Sequence, residues 1–229
     1  MVNILNNIIS VFIPAVCSGC KRKLPETVQV LCVACRHELP ITNNYLDKDN
    51  AVKRLFHGRA SIQNANSFVL FHKKGIVQQI IHELKYKGQQ QIGTFFGNWY
   101  GEILKENGVF NDVDIVIPVP LHKKRLKKRG YNQVTTFSQS LANKLGVEFD
   151  EISLKRIKNT SRQVFRSRGD RWQRLQNAFQ VVDERALINK HILLVDDVIT
   201  TGATLEACAN ILLKTGGTSV SIVTLAMTE

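Results

Sequence analysis

Residues 192–204 read ILLVDDVITTGAT, and this stretch decides the fold class. An apolar run leads into Asp196 and Asp197, and a turn of threonine and glycine then opens a helical pattern. A short apolar run bounded by turn residues predicts a buried strand, here over residues 191–195. From residue 67 onward, apolar runs alternate with helical patterns in the same way. The chain is therefore predicted to adopt an α/β fold with a mostly parallel sheet flanked by helices.

The turn after this strand is suited to binding a sugar phosphate. Backbone N–H groups at the start of a helix bind phosphate, and Gly202 lets the backbone approach it closely. The neighbouring threonine hydroxyls add donors, and the two carboxylates can accept hydrogen bonds from a sugar diol or help to hold Mg²⁺. The residues predicted to form this ribose 5-phosphate site are Asp196, Asp197, Thr200, Thr201, Gly202, Ala203 and Thr204.

Two other interpretations of this stretch are weaker. An apolar strand ending in Asp-Asp is also typical of a Walker B strand, but the sequence contains no GxxxxGK[ST] loop. A plain helix N-cap explains one Asp or Thr and leaves the rest of the segment unexplained.

At these residues the chain resembles the type I phosphoribosyltransferases, whose signature is four apolar residues, two acidic residues and a Thr/Ser-Gly loop. The resemblance implies that Asp196 and Asp197 contact the ribose hydroxyls of phosphoribosyl pyrophosphate. It also implies that the loop binds the 5′-phosphate and that Mg²⁺ accompanies the pyrophosphate.

Four of the five cysteines form two CxxC pairs, Cys17/Cys20 and Cys32/Cys35, with eleven residues between the pairs. Two such pairs supply the four thiolates of a tetrahedral structural zinc site. Disulfides and a redox-active CxxC pair are the alternatives, although a redox pair explains only one of the two motifs. Cys208 falls on the apolar stripe of a predicted helix and is expected to be a small buried side chain.

The chain carries 31 Lys and Arg residues against 19 Asp and Glu, a formal net charge of +12. Residues 121–174 hold 15 basic and four acidic residues, so 15 − 4 = +11 of this excess lies in one segment. A solvated surface is one interpretation; an anion-binding tract is the one we favour. The tract would stabilise a leaving pyrophosphate, or hold single-stranded nucleic acid with Tyr131, Phe165 or Trp172 stacking on bases. Its central arginines are Arg125, Arg129, Arg162, Arg166 and Arg168.

The order of motifs resembles the ComF family of competence-associated, phosphoribosyltransferase-like proteins over nearly the full chain. In chain order the motifs are the two CxxC pairs, Lys85-Tyr86-Lys87-Gly88, Pro118-Val119-Pro120-Leu121-His122, Arg129-Gly130-Tyr131-Asn132-Gln133, Thr160, Gln163, Arg171, Asn177-Ala178-Phe179 and the Asp196-Asp197 loop. The resemblance implies a type I phosphoribosyltransferase fold behind a small four-cysteine zinc module, and a role in handling incoming DNA with other competence proteins. It also implies that Pro118, Val119 and Pro120 lie where pyrophosphate binds.

The chain divides into three predicted regions: an N-terminal helix and zinc module over residues 1–45, a connector over residues 46–66, and a phosphoribosyltransferase-like domain over residues 67–229. Residues 1–16 are apolar, and Ile4, Leu5, Ile8, Ile9 and Phe12 repeat at helical spacing, which favours a short helix packed on the body over an interfacial membrane helix. No apolar run is long enough to span a bilayer. We therefore expect a cytoplasmic protein.

Two functions remain open from the sequence. The first is an enzyme that transfers phosphoribosyl from its Mg²⁺-bound pyrophosphate donor to an acceptor that the sequence does not identify. The second is a non-catalytic competence factor that binds single-stranded DNA and uses the sugar-phosphate pocket as a ligand sensor. No residue is assigned as catalytic base. His122 is either a structural hydrogen-bonding group or an acid-base group beside the pyrophosphate turn.

Overall fold

The computed structural model describes residues 15–158 and 177–228. The predicted N-terminal helix lies outside the described residues. Three of the five central arginines, Arg162, Arg166 and Arg168, also lie outside them, as do the predicted stacking residues Phe165 and Trp172.

The helices of the described residues are α1 (Val33–His37), α2 (Ala51–Arg54), α3 (Ile76–Tyr86), α4 (Gln91–Glu106), α5 (Lys123–Arg129), α6 (Thr135–Leu145) and α7 (Ala203–Leu212). A short 3-10 helix (Asn44–Leu46) precedes α2. The strands are β1 (Ala65–Leu70), β2 (Ile115–Pro118), β3 (Glu148–Phe149), β4 (Leu154–Arg156), β5 (Phe179–Val181), β6 (His191–Ile199) and β7 (Ser219–Met227).

Five strands form one sheet in the order β1-β7-β6-β2-β3, and every neighbouring pair in it is parallel. The predicted parallel sheet is therefore confirmed. Strand β6 extends four residues beyond its predicted end at Val195, because its pairing with β7 continues as far as Ile199 opposite Met227. The acidic residues thus lie within the strand. Strands β4 and β5 form a separate antiparallel pair.

The sheet has a hydrophobic core on each face, which explains why β6 is a continuous apolar run with no alternation. Leu193 and Val195 pack with α3, α4, α6 and the four-cysteine module. Ile192 and Leu194 pack with α7 and with Phe56 of the connector. Each core therefore brings a different set of polar side chains to the carboxyl ends of the strands.

Helices α4 and α6 pack closely because α4 presents glycines to α6. A Cβ atom on Gly97 would lie 2.6 Å from the carbonyl oxygen of Phe137, and one on Gly93 would collide with Thr136. The hydroxyl of Thr136 also donates to the carbonyl of Gln90 at 2.9 Å. This contact fixes the start of α6, and with it the polar segment 129–133 that leads into the helix.

Helix α5 was not predicted. Its sequence KKRLKKR contains one apolar residue, Leu126, so it carries no amphipathic signal. The helix is defined by its ends: the His122 ring nitrogen Nδ1 accepts from the N–H of Lys124 at 3.2 Å, and Gly130 ends it with a left-handed φ of 85°. His122 therefore makes a structural hydrogen bond as the N-cap of α5.

Across residues 15–158 and 177–228, no helix combines the length and the apolar character that crossing a membrane requires.

Candidate functional site

The two acidic residues of β6 lie near its carboxyl end, where neighbouring parallel strands also end. Successive side chains of a strand point to opposite faces of the sheet, so Asp196 and Asp197 turn apart. Asp197 reaches Lys85 and Gln133, whereas Asp196 is coupled electrostatically to Arg156. The backbone N–H of Asp197 donates to Asp196 Oδ1 at 2.8 Å. The predicted acidic pair is therefore two carboxylates with different surroundings.

Asp197 is held by a network of polar side chains. Its Oδ2 atom lies 3.0 Å from the Lys85 ammonium and accepts a hydrogen bond from Gln133 Nε2 at 2.7 Å. The guanidinium of Arg129 donates to the other end of the Gln133 amide. The Asp197 side chain is 7% exposed, so this pairing compensates for a buried charge.

The network is anchored to the end of α3 by the segment that follows α5. The Tyr131 hydroxyl donates to the carbonyl of Leu84 and accepts from the N–H of Gly88 at 3.2 Å. The Arg129 guanidinium also stacks 5.3 Å above the centre of the Tyr86 ring. Two residues that the sequence assigned to anion binding and base stacking, Arg129 and Tyr131, therefore bind the protein itself.

The Asp196 carboxyl group has a raised pKa. Burial, and then the charge of Asp197, raise the pKa of Asp196 to about 7, although Lys85 and Arg156 oppose the shift. Burial, followed by the like charge of Arg125, lowers the pKa of Arg156 below its usual value. The Arg156 guanidinium stacks 5.2 Å from the centre of the Phe179 ring. Asp196 thus gains or loses its proton near neutral pH, which suits a group that binds ligand in one protonation state.

Residues 200–204 form the predicted phosphate loop, which leads from β6 into α7. Gly202 has a left-handed φ of 72°, and a Cβ atom there would lie 3.3 Å from the Phe56 ring. Glycine is therefore favoured by the backbone conformation and by the close approach of Phe56. The first turn of α7 begins with Glu206 N–H donating to the Gly202 carbonyl at 2.8 Å. The N–H groups before it have no partner inside the helix. Thr200 and Thr201 are exposed, and Thr204 is half-buried.

Arg59 was not identified from the sequence, yet it contacts this loop directly. It donates to the carbonyl oxygen of Thr201 at 2.9 Å and pairs with the buried carboxylate of Glu206. An exposed arginine in a connector carries no periodic signal. Its role became visible only when the fold brought the connector against α7.

The predicted pyrophosphate turn follows β2, the strand next to β6. Pro118 and Pro120 have no N–H group, and the N–H of Val119 donates to the carbonyl of Val195 at 2.8 Å. Asn132 donates to the Val119 carbonyl at 3.1 Å. The three residues therefore fix the shape of the turn, while anion binding there depends on donors and cations beyond residue 120.

A cavity of about 530 Å³ lies beside this turn. Its apolar lining includes Leu126 and Ile152, which are both well exposed. Its cationic lining is formed by Lys123, Lys155 and Arg156. The cavity therefore combines apolar surface with positive charge next to the predicted pyrophosphate turn. Arg125, the remaining described member of the basic tract, is exposed on α5.

The four-cysteine cluster has the geometry of a tetrahedral metal site. The sulfur atoms of Cys17, Cys20, Cys32 and Cys35 all lie within 4.8 Å of one another, and those of Cys20 and Cys32 are 3.8 Å apart. Four sulfurs at about 2.3 Å from a central zinc ion are about 3.8 Å apart. The cluster thus fits a zinc module, and the sequence prediction of four ligands in one place is confirmed.

Backbone N–H groups around the cluster favour the thiolate of Cys20, whereas burial raises the pKa of Cys35. A hydrogen bond from the Arg22 N–H is the main cause that lowers the pKa of Cys20 to about 6. The N–H of Cys32 points at the sulfur of Cys17 at 3.4 Å, and that of Cys35 at the sulfur of Cys32 at 3.5 Å. Metal ligation requires deprotonated sulfur, so this arrangement prepares the cluster for a cation.

The module packs against α3 and α4. The Lys21 ammonium lies 2.8 Å from Glu83 on α3, and the Arg36 guanidinium lies 4.6 Å from the centre of the Trp99 ring on α4. Glu83 and Lys85 belong to the same turn of α3, so the module supports the helix that presents Lys85 to Asp197. The predicted boundaries at residues 45 and 66 stay a prediction.

Comparisons with known proteins agree with this architecture. The model of the phosphoribosyl transferase domain family matches residues 135–228. The DNA utilization protein YhgH of Escherichia coli K12 is 28% identical over 90% of this chain and 88% of its own length. Competence protein ComFC of Bacillus subtilis is 26% identical over 92% of this chain and 83% of its own. Competence protein F of Haemophilus influenzae is 40% identical over 48% of each chain.

Among solved structures, glutamine phosphoribosylpyrophosphate amidotransferase from B. subtilis aligns with a TM-score of 0.43 and 17% identity, over 62% of this chain and 30% of the other. Adenine phosphoribosyltransferase aligns with a TM-score of 0.39 and 16% identity, over 68% and 76%.

The family match covers β6, the phosphate loop and α7, and the sheet around them is parallel and flanked by helices. The predicted type I phosphoribosyltransferase fold behind a four-cysteine module is therefore confirmed. This fold, together with relatives that span about nine tenths of the chain, supports the assignment to the ComF family that the sequence predicted.

Proposed function

We propose that this protein binds phosphoribosyl pyrophosphate together with Mg²⁺. The observation that carries the proposal is the junction of β6 and α7, where a left-handed glycine opens a helix beside the half-buried Asp196 and the buried Asp197. A helix start with free N–H groups suits the 5′-phosphate, and carboxylates suit the ribose hydroxyls. The charge distribution supports the proposal, because Lys123, Lys155 and Arg156 line the cavity at the adjacent strand end.

The pyrophosphate would lie on the side of β2, where Lys123 and Arg156 line the cavity. Arg125 is near enough to Arg156 to lower its pKa, so an anion between the two guanidiniums would relieve a repulsion. Mg²⁺ prefers carboxylate and phosphate oxygens. Asp196 and the pyrophosphate oxygens would hold it, and the cation would neutralise the negative charge of the pyrophosphate.

Calorimetric titration with phosphoribosyl pyrophosphate, with and without Mg²⁺, tests this proposal. Ribose 5-phosphate and inorganic pyrophosphate, titrated separately, report on the two halves of the site. We expect binding of all three and tighter binding of the full ligand with Mg²⁺. If the wild-type protein binds neither ribose 5-phosphate nor the full ligand, the proposal is wrong.

Transfer of the phosphoribosyl group would follow from this binding mode. The bond between the anomeric carbon and the pyrophosphate oxygen would break, pyrophosphate would leave with the electron pair, and a nucleophile would bond to the anomeric carbon. Arg156 and Lys123 would stabilise the leaving charge. Pyrophosphate release in the presence of candidate acceptors separates an enzyme from a ligand sensor, since a sensor binds the ligand without releasing pyrophosphate.

We also propose a role in competence and DNA uptake, which the names of the relatives support. The second candidate function, binding of single-stranded DNA, is favoured by one observation. The exposed cations of α5 adjoin a cavity that offers apolar surface to a base. DNA affinity should fall steeply with salt, and a flat salt response would exclude this function.

The four-cysteine module is proposed to hold one structural zinc ion in a cytoplasmic protein, because free thiolates persist in a reducing compartment. Elemental analysis should find one zinc per chain. Cys20→Ser should lose the metal and lower the unfolding temperature, since metal binding contributes to folding. Cys208→Ala, at the cysteine buried elsewhere in the core, is the matched control and should retain the zinc. A full zinc content in Cys20→Ser would contradict the assignment.

A further inference from the structure

The connector lies directly against the phosphate loop. The Phe56 ring fills the space beside Gly202, as the position of a Cβ atom there shows. The connector is itself fixed by Asn50, whose amide donates to the carbonyl of Ala65 on β1 at 2.7 Å and accepts from the N–H groups of Val52 and Lys53. The loop is thus supported by a segment that is anchored to the sheet.

Arg59 joins this segment to both sides of the loop. Its Nη1 atom donates to the carbonyl oxygens of Leu55 at 2.8 Å and Thr201 at 2.9 Å. Its Nε atom donates to Glu206 Oε2 at 2.9 Å, and the Glu206 side chain is 4% exposed. Thr201 precedes Gly202, and Glu206 lies in the first turn of α7. One guanidinium therefore spans the point where the loop becomes a helix.

The contact with Thr201 sets the direction of a backbone donor. A trans peptide is planar, and its C=O and N–H groups point in opposite directions. When the Thr201 carbonyl points to Arg59, the N–H of Gly202 must point away from Arg59. Because this peptide is followed by a left-handed glycine, it has more freedom to rotate than an ordinary loop peptide. A fixed acceptor on one side removes that freedom.

We infer that Arg59 is a positioning residue for the phosphate loop, which holds the Thr201–Gly202 peptide so that the Gly202 N–H faces the bound phosphate. Arg59 does this from behind the loop, and its donors are directed to the protein. The inference rests on the proposed function for the identity of the ligand. It adds a residue of the connector to a site that the sequence placed wholly on the sheet and α7.

A guanidinium suits this role better than an ammonium. Its planar fork binds Leu55, Thr201 and Glu206 from fixed directions at once, whereas a lysine has a single nitrogen on a flexible chain. Arg59→Lys therefore preserves the charge beside buried Glu206 but loses the rigid bridge. Arg54→Lys is the matched control, because Arg54 lies in the same segment and its side chain is 54% exposed.

The test is calorimetric titration of the full-length variants with ribose 5-phosphate and with inorganic pyrophosphate. We expect Arg59→Lys to weaken ribose 5-phosphate binding about tenfold, the loss for one well-placed hydrogen bond, and to leave pyrophosphate binding unchanged. Glu206→Gln should give a smaller loss, because the amide oxygen still accepts from Arg59. Arg54→Lys should bind both ligands as the wild type does.

Hydrogen exchange without ligand gives a second readout that does not depend on the proposed function. The Gly202 amide should exchange faster in Arg59→Lys than in the wild type, while the Val119 amide should not change. Equal loss of both ligands, or ribose 5-phosphate binding within twofold of the wild type, would overturn the inference. If the wild type binds neither ribose 5-phosphate nor phosphoribosyl pyrophosphate, the proposed function fails, and the exchange rate of Gly202 still decides whether Arg59 orders the loop.

Discussion

The ends of β6 and β2 lie side by side in one sheet. They differ in the sign of their charge and in its exposure to solvent. At the end of β6 the charges are acidic: Asp196 is half-buried, and the buried Asp197 is paired with Lys85. After β2 the charges are basic, and the lysines of α5 are exposed. The acidic charge at β6 is therefore paired within the folded protein, whereas the basic charge of α5 is available to a ligand in solvent.

This difference predicts how each region responds to mutation. Breaking a buried ion pair leaves an uncompensated charge and costs about 3–5 kcal/mol in fully buried cases. Removing an exposed charge changes stability by about 0.5 kcal/mol or less. Changes at the end of β6 should therefore affect both stability and ligand binding, whereas changes on α5 should affect binding alone.

The largest expected effect is on ribose 5-phosphate binding by the double variant Asp196→Asn/Asp197→Asn. Two charge-assisted hydrogen bonds to the ribose hydroxyls would be weakened, so affinity at pH 8 should fall by about 100-fold or more. Pyrophosphate affinity measured without Mg²⁺ should fall less than about threefold, because that anion would bind at the other strand end. Calorimetric titration of both ligands measures the two numbers. Wild-type affinity for ribose 5-phosphate in this variant would remove the acids from the proposed site.

The next largest effect is that of Asp196 on the pH dependence of the free energy of unfolding. Because the pKa of Asp196 is raised to about 7, the folded protein retains a proton that the unfolded chain has lost at pH values between about 4 and 7. The free energy of unfolding should therefore fall as the pH rises through this window and change little above it. Asp196→Asn cannot ionise and should be more stable than the wild type at pH 8, by on the order of 3 kcal/mol.

Urea unfolding of the wild type and of Asp196→Asn between pH 5 and pH 8 tests this difference. The two proteins should converge towards pH 5 and diverge as the pH rises. Parallel curves would mean that Asp196 is ionised over the whole range. A stabilised variant that has lost ribose 5-phosphate binding would show that the acid is retained for the ligand at a cost in stability.

The sequence predicted the parallel sheet and the cysteine cluster. The parallel sheet followed from apolar runs alternating with helical patterns, and the cysteine cluster followed from the spacing of two CxxC pairs. Both signals are local, because each depends on residues close together in the chain. The end of β6 was placed four residues too early, since Asp196 and Asp197 are poor strand formers and only the pairing with β7 keeps them extended.

The parts that sequence reasoning missed are contacts between distant segments. Lys85 and Gln133 entered the sequence analysis only as parts of family motifs, and their meeting at Asp197 depends on how the fold brings α3 and the segment before α6 to the end of β6. Arg59 lies 142 positions from Thr201. Helix α5 was missed because it has no apolar face. Its two ends are defined by the N-cap His122 and by Gly130 at the C-cap.

The Lys85→Met variant tests whether the buried pair is structural. It leaves the Asp197 carboxylate without its ammonium, so we expect a loss of about 2 kcal/mol, less than for a fully buried pair because the Lys85 side chain is 23% exposed. The double variant Lys85→Met/Asp197→Asn should recover most of this loss, since no unpaired charge remains. Urea unfolding measures the free energy of unfolding of each variant. Lys87→Met, at an exposed lysine of the same segment, is the control. Additive losses in the double variant would contradict the pairing.

The smallest expected effect on stability comes from the other strand end, with Lys124→Gln/Lys127→Gln/Lys128→Gln on α5. These side chains are exposed, so the free energy of unfolding should change by less than about 0.5 kcal/mol. If α5 contacts single-stranded DNA, the slope of log affinity against log salt should decrease by about 0.7 for each phosphate contact removed. Ribose 5-phosphate binding should not change, because that ligand belongs to the end of β6. Two outcomes would contradict this division between the strand ends. One is a loss of stability in the variant. The other is a loss of ribose 5-phosphate binding with an unchanged salt dependence of DNA binding.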